Sequence, residues 1–184
     1  RAFFTDRGIY VVNLMGSPGA GKTTLLERTA VGLKGKKRMA VIEGDIATSR
    51  DAERIAAQAI PTVQINTGGA CHLDGNMVRG GLDQLDLEGI DLLVVENVGN
   101  LVCPAEFRIG EDIKAMICSV AEGDDKPLKY PLMFQVSSVL LVNKVDLLPH
   151  VDFDLERFRA DALKVNPRLE IIPLSCRTGE GLDS

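Results

Sequence analysis

The segment Gly16-Ser17-Pro18-Gly19-Ala20-Gly21-Lys22-Thr23 restricts the fold of this chain more than any other part of its sequence. It follows the apolar run 9–15, which predicts a buried strand, and it precedes 23–34, where apolar residues recur with helical spacing. Glycines let backbone N–H groups turn toward phosphate oxygens, and the first turn of a helix attracts the same anion. The pattern G-x-x-x-x-G-K-[ST] therefore predicts a loop that binds a nucleoside triphosphate. The expected nucleotide contacts in this loop are Gly16, Ser17, Pro18, Gly19, Ala20, Gly21, Lys22, Thr23 and Thr24.

Apolar runs alternate with helix-period stretches along the whole chain. Strands are predicted at 9–15, 39–42, 62–65, 90–95, 113–120, 139–142 and 171–172, and helices at 23–34, 49–59, 73–85 and 155–165. Because the strands are almost continuously apolar, we expect a mainly parallel central sheet covered by helices on both faces. This is the three-layer α/β fold of P-loop NTPases, in which ligands bind beyond the carboxyl ends of the strands. The polar stretch 122–127 is expected to be a mobile surface loop.

The motif Asn143-Lys144-Val145-Asp146 follows the predicted strand 139–142, at the edge of the sheet where the nucleotide is expected. This N-K-x-D pattern favours guanine, because the Asp146 carboxylate can accept hydrogen bonds from N1–H and from the exocyclic amine of that base. Adenine offers neither donor at this place, so a buried Asp146 would lose its partners. Lys144 is expected to lie along the base, and Asn143 to join the loops. The loop after the last strand is expected to present backbone N–H groups to guanine O6 from Ser175, Cys176 and Arg177.

Composition excludes some classes of function. The chain has 21 Lys and Arg against 26 Asp and Glu, a net charge of -5, so it lacks the basic surplus of nucleic-acid-binding proteins. No apolar run approaches the roughly 20 residues needed to cross a bilayer, and the start does not resemble a signal peptide. We expect a single GTPase domain over 1–184, shortened at both ends and located in the cytoplasm. Residue 1 is not methionine, which indicates the shortening at the start.

Glu96 ends the most apolar strand and opens Glu96-Asn97-Val98-Gly99, at the place where small GTPases have D-x-x-G. We expect Glu96 and the Thr23 hydroxyl to hold Mg²⁺, and Gly99 to donate its N–H to the γ-phosphate. Asp45 ends another strand and offers a second carboxylate to the same metal. No glutamine is placed to orient the attacking water, so intrinsic hydrolysis is expected to be slow. The predicted catalytic residues are Lys22, Asp45, Glu96 and Gly99.

Cys71, His72 and Cys103 lie on two segments that leave the ligand edge of the predicted sheet. Two thiolates and an imidazole suit Zn²⁺ or Ni²⁺ and do not suit Mg²⁺. Three ligands are one short of a tetrahedral site, which a water or a second protomer across a two-fold axis would complete. The alternative interpretation is two half-buried thiols and a histidine at a helix start. Cys118, inside an apolar run, is expected in the core.

Several of these strings together resemble one family of metal-handling GTPases. They are Glu96-x-x-Gly99 with glutamate in place of aspartate, Cys71-His72-Leu73-Asp74, Leu101-Val102-Cys103-Pro104 and the run from Gly44 to Ile55. Over essentially its whole length, the chain is similar to the HypB family of hydrogenase nickel-incorporation proteins.

This resemblance implies a GTPase that delivers nickel to the large subunit of [NiFe]-hydrogenase, working with a nickel-carrying accessory protein and the large-subunit precursor. It also implies a homodimer promoted by GTP and metal, with a Zn²⁺ or Ni²⁺ site of Cys71, His72 and Cys103 at the dimer interface. Some members of the family carry a histidine-rich stretch. This chain has only His72 and His150, so we do not expect it to store nickel.

Three alternatives remain open from the sequence. A sister GTPase that delivers nickel to urease, or loads the cofactor of a mutase, would use the same nucleotide chemistry. A small-molecule kinase also uses a phosphate loop, but it would need a lid arginine and an acceptor pocket and would not need Asn143 and Asp146. A metal-responsive dimerisation module, in which GTP is only structural, would not couple hydrolysis to Ni²⁺.

Overall fold

The computed structural model describes residues 1–45, 55 and 60–183, without the side chain of Asp45. The strands in these residues are β1 (Tyr10–Gly16), β2 (Met39–Asp45), β3 (Thr62–Asn66), β4 (Leu92–Glu96), β5 (Ile113–Ser119), β6 (Val139–Asn143) and β7 (Glu170–Pro173). The helices are α1 (Ala2–Thr5), α2 (Lys22–Leu33), α3 (Gly75–Leu82), α4 (Cys103–Glu106), α5 (Lys126–Lys129), α6 (Pro131–Val136) and α7 (Leu155–Val165). Short 3₁₀ segments cover Val120–Glu122 and Val145–His150.

The seven described strands form one sheet in the order β3-β2-β4-β1-β5-β6-β7. Every neighbouring pair in it is parallel, which confirms the predicted sheet. Since all of the carboxyl ends then lie on one edge, the loops that leave β1, β3, β4, β6 and β7 meet there. The central strand, β1, runs directly into the predicted phosphate loop.

Helices cover both faces of the sheet, as predicted. Along β1, Val11 and Met15 face one side and Val12 and Leu14 face the other, because successive side chains alternate. The apolar face of α2 packs on the second side. The first side is covered by α3, α6 and α7, which bury among others Val78, Phe134 and Phe158. Cys118 is 1% exposed within this core, as expected.

Some local expectations differ from the structure. Only Ile55 of the predicted helix 49–59 lies within the described residues. The stretch 122–127 is not a simple loop, because a 3₁₀ turn ends at Glu122 and α5 begins at Lys126. The Ser119 side chain caps that 3₁₀ turn, and the Ser119 backbone N–H donates to the Glu122 carboxylate. Within the described part of the chain, no helix is long and apolar enough to cross a membrane.

Candidate functional site

The phosphate loop is shaped by two glycines with left-handed backbone angles. Gly19 has a φ of 75° and Gly21 a φ of 104°, which side-chain-bearing residues rarely adopt. A Cβ on Gly21 would also collide with Asn143 Nδ2. Lys22, the first residue of α2, is buried, and its Nζ donates to the backbone carbonyl of Ser17 at 3.2 Å. The ammonium group therefore faces the inside of the loop, where phosphate oxygens can replace the carbonyl.

Two adjoining cavities open at this edge of the sheet. One, of about 440 Å³, lies between the phosphate loop and the ends of β2 and β4. The other, of about 420 Å³, lies between α2 and the loops that follow β6 and β7. Gly21, Thr24 and Lys144 line both. Together the cavities offer one space for phosphates and one for a base.

Oxygen donors line the floor of the first cavity. Thr23 Oγ1 donates to Glu96 Oε1 at 3.2 Å, and both residues are buried. Glu43 is opposite Glu96 on the neighbouring strand, and it lines the same cavity at 3% exposure. A hydroxyl and two carboxylates are the kind of ligands that Mg²⁺ prefers, so these residues fit that ion. The predicted ligand Asp45 ends β2, but its side chain lies outside the described residues.

Gly99 lies against the phosphate loop. A Cβ at this position would be 2.9 Å from Pro18 Cγ and 3.0 Å from the Pro18 nitrogen, so only glycine permits the approach. The next residue, Asn100, donates its backbone N–H to the carbonyl of Gly16 at 3.0 Å. The segment after β4 thus contacts the loop that is predicted to hold the phosphates.

Asn143 joins three loops through a buried amide. Its Nδ2 donates to the carbonyl of Ala20 at 2.8 Å, and its Oδ1 accepts from the backbone N–H groups of Lys144 at 2.7 Å and Cys176 at 3.0 Å. The Lys144 ammonium adds a bond to the carbonyl of Gly19 at 2.6 Å. These contacts hold the phosphate loop and both predicted base-binding loops as one unit.

Both carboxylate oxygens of Asp146 have partners within the protein. Oδ1 accepts from the Ser175 hydroxyl at 2.6 Å, and Oδ2 lies 3.4 Å from Arg177 Nε. A guanine base would offer N1–H and its amine to the same two oxygens. The Cys176 backbone N–H, which the sequence predicts to face guanine O6, donates to Asn143 Oδ1, and burial raises the pKa of the Cys176 thiol.

Three residues near the nucleotide cavities are missing from the predicted set. Glu43 stands inside an otherwise apolar strand, and that break in the pattern is the signal for it. Arg28 on α2 donates from Nε to the carbonyl of Cys176 at 2.8 Å and supports the base loop. Glu122 accepts a hydrogen bond from the Ser17 hydroxyl of the phosphate loop. No local pattern marks the last two, because their contacts connect distant parts of the chain.

Cys71, His72 and Cys103 come together in the structure. One donor atom from each lies within 4.8 Å of the others. Cys71 Sγ is 2.7 Å from Cys103 Sγ and 3.7 Å from His72 Nδ1, and both cysteines are free. The hydrogen bond that Cys71 donates to Cys103, followed by burial, raises the pKa of the Cys71 thiol. Two thiols and an imidazole at this spacing can bind a tetrahedral soft cation such as Zn²⁺, which would displace the thiol protons.

Two asparagines connect this Cys/His group to the segment after β4. Asn97 Oδ1 accepts from the backbone N–H of Leu73 at 2.9 Å. Asn100 Nδ2 donates to the carbonyl of Cys71 at 3.4 Å. Since the same segment carries Cys103 and contacts the phosphate loop, the Cys/His group and the nucleotide cavity share one piece of backbone.

Comparisons with known proteins agree with this geometry. The family described as "CobW/HypB/UreG, nucleotide-binding domain" matches residues 10–173. Hydrogenase maturation factor HypB of Azotobacter vinelandii is 56% identical over 183 residues, which cover 99% of this chain and 60% of that protein. The chain spans about three fifths of the length of such curated relatives.

Solved structures give the same result. A crystal structure of HypB from Helicobacter pylori in complex with nickel superposes with a TM-score of 0.93 at 37% identity, covering 99% of this chain and 86% of that one. HypB from Archaeoglobus fulgidus gives a TM-score of 0.91 at 39% identity, covering 98% and 88%. The resemblance that the sequence motifs predict is therefore confirmed.

Proposed function

The chain belongs to the HypB family of hydrogenase maturation factors, and from that premise we propose that it is a GTP-hydrolysing metallochaperone that inserts nickel into [NiFe]-hydrogenase. The observation that carries this proposal is the Cys71–His72–Cys103 group, joined through Asn97 and Asn100 to the segment that contacts the phosphate loop. A nickel carrier needs a site that both holds and releases its cargo. A metal site mechanically linked to a nucleotide site meets that need.

The nucleotide is GTP. Asp146 selects guanine, Asn143 and Lys144 keep the base loops on the phosphate loop, and Lys22 binds the phosphates. Mg²⁺, held by Thr23 and Glu96 with Glu43 beside them and Asp45 as a further candidate, would neutralise phosphate charge. A kinase would have no use for the guanine-selective carboxylate, which argues against that alternative.

The cargo is Ni²⁺, with Zn²⁺ able to occupy the same ligands. Cys71, His72 and Cys103 supply three donors, and a water or a second protomer supplies the fourth. Loss of the γ-phosphate releases Gly99, shifts the segment that carries Cys103, and changes the spacing of the ligands. GTP therefore favours one metal affinity and GDP another.

The proposed partners follow from this change of metal affinity between the GTP and GDP states. The protein dimerises when GTP and metal are bound, receives nickel from an accessory protein, and passes it to the precursor of the hydrogenase large subunit in the cytoplasm. Neither nucleic acid nor a membrane takes part.

The test is analytical sedimentation with a non-hydrolysable GTP analogue and with GDP, while bound Ni²⁺ is counted, alongside single-turnover hydrolysis with and without Ni²⁺. We expect a dimer with the analogue, a different Ni²⁺ affinity with GDP, and a hydrolysis rate that responds to Ni²⁺. A hydrolysis rate indifferent to Ni²⁺, together with equal metal affinity in both states, would leave only a metal-binding module and contradict the proposal.

A further inference from the structure

The imidazole of His72 lies flat against the ring of Phe107. The ring centroids are 3.8 Å apart and the planes differ by 13°. Phe107 remains 38% exposed, so core burial alone does not account for its position. One face of the imidazole is covered by this contact, while its Nδ1 edge points toward Cys71 Sγ at 3.7 Å.

Phe107 is itself held by a buried lysine of the sheet. Lys114 on β5 donates from Nζ to the carbonyl of Phe107 at 2.7 Å and to that of Ala105 at 2.8 Å. Glu111 lies 3.9 Å from the same ammonium, and the two side chains are 7% and 9% exposed, so the charge is balanced in a largely dry place. Because Lys114 is enclosed, its side chain has little freedom to rotate. Its hydrogen bonds therefore fix the backbone of Phe107 to the sheet.

Lys114 also helps to position Cys103. Helix α4 begins at Cys103 and ends at Glu106, directly before Phe107, and it is one turn long. Lys114 binds carbonyls at the carboxyl end of this turn, where a cation is favourable. One side chain of the sheet thus sets the place of a metal-ligand thiol and of the ring that stacks on the metal-ligand imidazole.

We propose that Phe107 is a positioning residue of the Cys71–His72–Cys103 site, with its backbone held by Lys114. The proposal rests on the proposed metal-carrying function. A half-buried histidine such as His72 can still rotate about two side-chain bonds unless a neighbour prevents it, and metal binding must suppress that freedom. Stacking on Phe107 suppresses it before the metal arrives and leaves the ring edge for coordination.

The test compares Phe107→Tyr, which keeps an aromatic ring, with Phe107→Leu, which keeps an apolar side chain without one, and with Phe107→Ala. Zn²⁺ and Ni²⁺ dissociation constants are measured by competition with a chromogenic chelator, without nucleotide. We expect Phe107→Leu and Phe107→Ala to weaken binding by roughly two- to tenfold, the range given by the energy of one aromatic pair. Phe107→Tyr should bind as the wild type does.

A second readout needs no metal. The stacked phenyl ring should shift the His72 ring-proton resonances in the NMR spectrum of the metal-free protein. We expect this shift to persist in Phe107→Tyr and to disappear in Phe107→Leu. Phe3→Ala is the matched control, because Phe3 is similarly exposed, at 43%, but lies on α1. It should change neither the resonances nor the affinity.

The outcomes separate the two proposals. If the wild type binds neither Zn²⁺ nor Ni²⁺, the metal-carrying function fails, and this inference fails with it. If the wild type binds metal and Phe107→Leu binds it equally well with unchanged His72 resonances, only the positioning role of Phe107 is overturned. Should Phe107→Ala not fold, the Leu and Tyr variants decide the question alone.

Discussion

Asn100 donates its side-chain amide to the backbone carbonyl of Cys71 at 3.4 Å. Its backbone N–H donates to Gly16, the first residue of the phosphate loop, at 3.0 Å. One residue therefore contacts both the segment that carries two proposed metal ligands, Cys71 and His72, and the loop that is proposed to hold the phosphates. Removing the side chain cuts the first contact and leaves the second.

We expect Asn100→Ala to weaken the coupling between metal and nucleotide. In the wild type, GTP analogue and GDP should give Ni²⁺ affinities that differ by roughly 5- to 150-fold, the range of typical allosteric coupling. In the variant this ratio should fall toward one, while GTP still binds, because the backbone bond to Gly16 remains. Calorimetric titration of Ni²⁺ in the two nucleotide states measures the ratio.

Asn76→Ala is the matched control for this change, because Asn76 is an exposed asparagine on α3. The ratio of its Ni²⁺ affinities with GTP analogue and with GDP should equal that of the wild type. If Asn100→Ala shows the same ratio of Ni²⁺ affinities as the wild type, the coupling does not pass through this side chain.

Asp146→Asn should move base preference from guanine toward xanthine. Asparagine can donate a hydrogen bond where xanthine presents an oxygen, whereas the carboxylate only accepts. We expect GTP binding to weaken by about tenfold or more, since each lost bond to a charged group costs about 1.5–3 kcal/mol. Competition between GTP and XTP measures the shift, with Asp152→Asn, an exposed aspartate, as control. Equal binding of ATP and GTP by the wild type would contradict the assignment of Asp146.

Lys22→Ala should abolish GTP hydrolysis without unfolding the protein. The ammonium contacts loop carbonyls, so its loss removes phosphate binding and little core packing. A reduction by about 10²-fold or more is expected, as for other electrostatic groups at a reacting centre. Turnover and circular dichroism are measured together, and Lys36→Ala, exposed after α2, serves as control. Undiminished turnover in Lys22→Ala would exclude the phosphate loop as the site of hydrolysis.

Asp124→Asn should destabilise the protein at neutral pH and not in acid. The pKa of Asp124 lies below its ordinary value because the Asp154 backbone N–H and the Arg157 guanidinium donate to its carboxylate. A carboxylate of this kind stabilises the fold above its unfolded pKa of about 3.9, and the stabilisation is lost as pH falls through the lower, folded value.

The difference between Asp124→Asn and the wild type in urea unfolding should be up to about 1 kcal/mol at pH 7 and should shrink below about pH 4. Asp6→Asn, at an exposed position after α1, should show no such trend. If the difference in unfolding free energy stays constant across this pH range, Asp124 acts through its shape and not through its charge.

The sheet and the phosphate loop were open to prediction from sequence because both leave local patterns. The strands are apolar over several consecutive residues, and the glycines and lysine of the loop have fixed spacing. Helices α1, α4 and α6 have only four to six residues, too few for a helical period to appear. They escape prediction for that reason.

The residues of the candidate site were likewise predictable only in part. Cys71, His72 and Cys103 could be grouped because their segments follow β3 and β4 and leave the sheet at the same edge. Glu43 left a signal as a charged break in an apolar strand, but its role could not be assigned, because its place in the cavity depends on the register of β2 against β4. The stacking of Phe107 on His72 depends on the one-turn helix α4 and on a lysine of β5, and no spacing in the sequence expresses that combination.

The order of strands in the sheet separates the loops proposed to recognise the base from the segments proposed to hold the metal. The segments with Cys71, His72 and Cys103 follow β3 and β4 on one side of β1, and the proposed base loops follow β6 and β7 on the other. A substitution at Asp146, whose oxygens bond to Ser175 and Arg177 of the base loops, should therefore multiply the GTP and GDP dissociation constants by a common factor, since both nucleotides carry the same guanine. The factor by which bound metal changes the ratio of those constants, which by linkage is the factor by which hydrolysis changes metal affinity, should stay as it was. A change in base recognition at Asp146 can thus alter the nucleotide concentration that the protein needs without altering how the proposed metal site responds to hydrolysis.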